Sequence, residues 1–174
     1  HIHDGGSGVF LSGSVDKFQQ SQPFHAISSA FDEYCTLLST RDESTVEMVS
    51  TALKRDLGDE ISSLVTAMPS LRGILGNDCV CDQNDENSDD AVDAQKRLRY
   101  LFCQFVEIIL GCQEEPLILF LDDCQWIDAA SVALLNQILM MPNKSASNKQ
   151  RRFFFFGCCR DDEVNEEHPL TLML

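Results

Sequence analysis

Pro116-Leu117-Ile118-Leu119-Phe120-Leu121-Asp122-Asp123 is the stretch on which the fold turns. Five consecutive apolar residues leave no side for water, so a strand here must be covered on both faces. That is the pattern of a central strand in a parallel sheet with helices above and below. The run ends abruptly in two carboxylates. Beyond them Asp128 is placed to cap a helix, and Val132, Leu134, Leu135, Ile138 and Leu139 give that helix its apolar stripe. A polar loop from Pro142 to Gln150 leads to a second wholly apolar strand, Arg152 to Gly157. Two buried strands joined by a helical crossover predict a right-handed βαβ unit, and with it an α/β sheet.

Upstream, Val9, Phe10 and Leu11 between Gly8 and Gly13 predict a short buried strand, and Lys17 to Pro23 a polar turn. From Phe24 the residues Ile27, Phe31, Tyr34, Leu37 and Leu38 recur at three- and four-residue steps, predicting a helix to about Ser39. A second helix is expected from near Ser44, with Val46, Val49, Leu53 and Leu57 on one stripe and Gly58 as its stop. A third runs from Asp59 through Ile61, Leu64, Val65 and Met68, with Pro69 ending it. Asn77 to Asp90 is acidic and almost without apolar residues, which predicts a mobile loop at about 77–90. The helix after it carries Leu98, Leu101, Phe102, Phe105, Val106, Ile109 and Leu110 in register and needs a partner surface. One domain over residues 1–174 is therefore expected, with the core drawing on both sides of the loop.

Composition narrows the function. The chain has 174 residues, 44% of them hydrophobic, and 28 acidic against 13 basic side chains give a formal charge of −15. Such a surface repels a phosphate backbone, so nucleic acid is not an expected partner. The longest apolar runs are far too short to span a bilayer, and no membrane association is expected. Of the eight cysteines, Cys35, Cys103, Cys112, Cys124, Cys158 and Cys159 sit beside hydrophobic residues, as reduced core thiols do. Cys79 and Cys81 have no second ligand pair at zinc spacing, and no metal is expected on them. The chain reads as soluble and cytoplasmic. It begins at His1 rather than Met, as a piece of a larger protein would.

In an open parallel sheet the ligand crevice lies beyond the carboxyl ends of the strands. Asp122 and Asp123 occupy that place. A carboxylate there can hold a hydrated Mg²⁺, and its neighbour can orient or deprotonate an attacking water; the plainer reading is that the two acids only close a strand end. After the second strand comes Arg160. If the two strands are neighbours, its guanidinium can reach a γ-phosphate or the acidic pair; otherwise it forms a surface ion pair with Asp161, Asp162 or Glu163.

Leu117 to Asp128, with Gln125, Trp126 and Asp128 at their offsets from the acids, resembles the extended Walker B segment of the origin-recognition-like AAA ATPase domain found in STAND-type signalling proteins. Phe154 to Val164 with His168 and Pro169 resembles the next strand of that family, and Phe10 to Phe18 with Pro23, Phe24, Ala26 and Ile27 the segment after its phosphate-loop helix. The resemblance implies a three-layer P-loop NTPase-like parallel sheet flanked by helices. It also implies ATP and Mg²⁺ as cofactors, Asp122 as the metal-binding acid, Asp123 as the acid that activates water, and Arg160 at a nucleotide-sensing position. Trp126 is expected to pack on the following helix. A nucleotide-dependent switch beside kinase, cyclase or regulator domains, with a nucleotide-dependent oligomer, follows from the same likeness. One departure matters. No G-x-x-x-x-G-K-[ST] occurs, and the glycine-rich segment His3 to Gly8 lacks its Lys. The expectation is a chain cut after the phosphate loop and incomplete at its N-terminus, without ATP hydrolysis of its own. The competing reading is a degenerate, non-catalytic interaction module.

Overall fold

A computed structural model describes residues 8–19, 22–76, 91–141 and 152–172. The expected loops at 77–90 and 142–150, the Cys79 and Cys81 pair and most of the glycine-rich start lie outside them. The described residues divide into two compact units, one of residues 1–31 with 113–174 and the other of residues 32–112.

The first unit holds a sheet of three parallel strands, β1 (Val9–Ser14), β2 (Leu117–Asp122) and β3 (Phe153–Gly157), in the order β1-β2-β3. The register pairs Val9 with Leu117 and Ser14 with Asp122 on one side, and Leu117 with Phe153 and Leu121 with Gly157 on the other. β2 is central, as its apolar run requires. Leu117, Leu119 and Leu121 are completely buried, each contributing about 1.5–3 kcal/mol by leaving water. β1 extends three residues beyond the expected Leu11, because Ser12, Gly13 and Ser14 complete the ladder with Phe120, Leu121 and Asp122.

β3 departs from the expectation of full burial. It is an edge strand among the described residues, and the side chains of Phe154 and Phe156 are about half exposed at 50% and 56%. The reason is the two-residue period of the strand. Phe153 and Phe155 share the face of the buried leucines, while Phe154 and Phe156 join Ile118 and Phe120 on the opposite face. An unbroken aromatic run cannot distinguish one covered face from two.

The sheet is flanked by helices. α1 (His25–Leu38) starts directly after Phe24, whose backbone is left-handed with φ +65°, and the Phe24 amide donates to the buried Ser131 hydroxyl at 3.1 Å. That bond ties the start of α1 to the start of α6 (Ala129–Leu139). Asp128 caps α6 as expected, its carboxylate accepting from the Ser131 amide at 2.8 Å.

The second unit is helical: α2 (Glu43–Leu57), α3 (Ile61–Ala67), α4 (Arg72–Leu75) and α5 (Ala91–Cys112). Asp42 caps α2, and Gly58, with φ +52°, ends it. α5 packs on α2 and α3, burying Leu101, Phe102, Phe105, Val106 and Ile109. α3 ends before Pro69 as expected, but a further helical segment follows. Proline there occupies the first position of a 3-10 turn that runs on into α4, where its missing N–H costs nothing. Leu71, Ile74 and Leu75 are buried as a result.

Candidate functional site

Parallel pairing sets the tips of β2 and β3 side by side. The Cys158 amide donates to the Leu121 carbonyl and the Cys124 amide to the Cys158 carbonyl, both at 2.8 Å, so the ladder continues past the strands. Asp122 is the last residue of β2 and is exposed. One of its carboxylate oxygens accepts the Asp123 amide at 2.9 Å. Asp123 itself adopts φ +55° and ψ +37°, a left-handed conformation that few residues other than Gly, Asn and Asp tolerate. The strand thereby turns sharply into the 3-10 segment Cys124–Trp126.

Gln125 is buried at this turn. Its amide nitrogen donates to the Asp123 carboxylate at 2.9 Å, and its amide oxygen accepts the Arg160 backbone N–H at 3.2 Å. His168 closes the arrangement from the other side. Its Nδ1 accepts the Leu170 amide at 3.2 Å, which leaves the ring proton on Nε2 to donate to the Gln125 carbonyl at 2.9 Å. The Trp126 indole N–H donates to one oxygen of Glu163 at 3.1 Å, and the Arg160 guanidinium to the other at 3.3 Å. Trp126 thus has a hydrogen-bond partner beyond β3.

Asp122, Asp123 and Arg160 come to the same end of the sheet. The guanidinium of Arg160 pairs with Glu163, the surface ion pair weighed as the plainer alternative, and only its backbone N–H communicates with Asp123, through Gln125. With the two side chains 63% and 36% exposed, that ion pair is worth under about 1 kcal/mol. A phosphate oxygen can therefore displace Glu163 at little cost. The exposed Asp122 carboxylate, a hard oxygen donor with one oxygen held by a neighbouring amide, fits a Mg²⁺ ion that keeps most of its water.

Beside this tip lies a shallow cleft of ≈ 310 Å³, much of it open solvent, lined by Val15, Asp16, His25, Trp126, Asp128 and Ser131 among others. Asp122, Asp123 and Arg160 are not part of its wall. The cleft lies between the ends of β1 and β2, on the side where Asp122 pairs with Ser14, whereas Gln125 links Asp123 to Arg160 across the β2–β3 seam.

The thiols differ in kind. Cys124 is buried, donates to the Leu121 carbonyl at 3.3 Å, and is pushed up to about 12 by that burial. Cys158 and Cys159 are exposed, contrary to the expectation of core thiols; they follow the last residue of β3, an edge strand among the described residues. The residue that sequence reasoning left without a role is Gln125. Its place beside the acids was visible, but its reach to Arg160 requires the strand order.

A family model described as AAA ATPase domain matches residues 1–148. Hybrid signal transduction histidine kinase G of Dictyostelium discoideum is similar to this chain, 29% identical over 134 residues; these cover 77% of the chain and 4% of that protein. The chain thus spans a small part of its curated relative. No solved structure matches it.

Proposed function

Because this chain belongs to the AAA ATPase domain family, we propose that it is the ATP- and Mg²⁺-binding part of a STAND-type switch within a larger signalling protein. The observation that carries this reading is the β2–β3 seam. There a left-handed Asp123 and Arg160 are joined through Gln125 at the carboxyl ends of adjacent parallel strands, and the exposed Asp122 accepts the Asp123 amide at the tip of β2. In this reading Asp122 holds the metal, as the Walker B acid. Asp123, its carboxylate fixed by the Gln125 amide, orients a water and accepts its proton. Arg160 leaves Glu163 for the terminal phosphate, so that the pairing at this position differs between the triphosphate and diphosphate forms. Mg²⁺, when bound, would neutralise charge on the phosphate oxygens.

Residues 1–174 are then read as one ATPase domain, and the partners as neighbouring signalling domains, in keeping with the likeness to a short stretch of a much longer hybrid signal transduction histidine kinase. Nucleotide-driven association of copies belongs to the same proposal, and so does a cytoplasmic setting, in keeping with the unpaired thiols of the described residues. Among the described residues no helix is long and apolar enough to cross a membrane.

The test is Asp122→Asn in the full-length protein. Circular dichroism is expected to stay unchanged while Mg²⁺-dependent nucleotide binding or turnover falls at least about tenfold, the scale on which metal sites respond to loss of even an outer partner. Turnover equal to that of the unsubstituted protein removes Asp122 from its role. Absence of any nucleotide binding in the unsubstituted protein favours the non-catalytic interaction module.

A further inference from the structure

Gln125 is 5% exposed and held at three points. Two of them are the ends of its own side chain, and they have opposite polarity. A carboxylate only accepts and a backbone N–H only donates, so the amide has one orientation, NH₂ toward Asp123 and C=O toward Arg160. The third is its carbonyl, pinned by the His168 ring. No other side chain among the described hydrogen bonds joins the β2 tip to the backbone of Arg160.

We infer that Gln125 is a positioning residue. Its amide holds the Asp123 carboxylate in place relative to Arg160, so that a movement of the β3 tip is passed to the acid that handles water. This rests on the nucleotide reading above. Asp123 is held in an uncommon left-handed backbone conformation, and its carboxylate has rotational freedom unless a donor fixes it. Gln125 supplies that donor. Glu163 engages Arg160 at its side chain, whereas Gln125 engages it at its main chain, so a phosphate can take the guanidinium without breaking the link to Asp123.

A structural staple would look the same in a static picture, and chemistry separates the two. Gln125→Glu keeps the length and the oxygen that accepts from Arg160 but removes the donor to Asp123. Gln125→Leu removes both. In the full-length protein with Mg²⁺ and ATP, kcat of Gln125→Glu is expected to fall about 10–100-fold, the range for lost outer-shell partners, with KM within about twofold. Lowering the pH protonates the introduced carboxyl group and restores an O–H donor, so the ratio of kcat to that of the unsubstituted protein rises for Gln125→Glu and stays flat for Gln125→Leu. Melting temperatures of both variants report any separate loss of stability. If Gln125→Glu keeps full kcat while Asp122→Asn loses it, the positioning role is wrong and the nucleotide reading stands. Equal pH profiles for the two variants reduce Gln125 to a staple. Full activity in both Asp122→Asn and Gln125→Glu overturns the nucleotide reading itself; nucleotide binding without turnover in the unsubstituted protein overturns the positioning role alone, and no nucleotide binding overturns both.

Discussion

At the scale of single residues, the closest constraint on the site's scaffold is Gly13. A Cβ there would stand 2.8 Å from the Ala26 carbonyl oxygen and 3.0 Å from a Leu121 methyl. The first contact is backbone and cannot swing aside. Gly13→Ala is therefore expected to destabilise by about 1–3 kcal/mol, as overpacking does, and urea unfolding will show it as a lower midpoint with an unchanged slope. The sequence displayed Gly13 only as the end of a strand. That α1 presses its first turn against β1 at this point depends on a meeting of segments thirteen positions apart. Asp122 and Asp123 were legible as candidates because an apolar run broke off into charge. The link from Gln125 to Arg160 was not, since a spacing of 35 residues carries no periodicity.

At the scale of elements, what the sequence revealed depended on how far local pattern fixes environment. β2, α2, α5 and α6 declared themselves through long apolar registers and caps. β3 gave its type but not its exposure, and α4 was hidden behind Pro69, which reads as a stop yet also suits the opening turn of a new helix. The second half of β1, Ser12 to Ser14, is strand because β2 pairs with it and not because of its composition. The cap of α2 has a pH signature. Hydrogen bonds from the Ser44 hydroxyl, then the Thr45 amide and hydroxyl, hold the Asp42 carboxyl below its ordinary 3.8. Since the folded value lies under the unfolded one, the stabilisation is complete above that ordinary value and disappears as pH drops through the folded value. Asp42→Asn keeps the cap without the titration. Its melting temperature is expected to fall less steeply than that of the unsubstituted chain as buffers go below about pH 4, and parallel curves would show that Asp42 carries no such linkage.

At the scale of the whole molecule, the formal charge of −15 opposes the approach of any polyanion. Asp161, Asp162 and Glu163 form the 3-10 turn that follows Arg160 after β3, so acidic side chains lie near the seam as well as elsewhere. Two measurements check this. A DNA duplex is expected to show no retardation on gels even at low salt, where counterion release would favour binding. For ATP, added NaCl screens a repulsive field, so association measured by stopped flow should quicken between low and physiological ionic strength; slowing would mean that local positive charge governs the encounter. The chain also has a single tryptophan, and it is Trp126, whose indole reaches across to Glu163. Tryptophan emission from the native protein thus comes from one spot at the junction of the two strand tips. Any rearrangement that draws Glu163 away changes the colour of that light, and the protein serves as its own label.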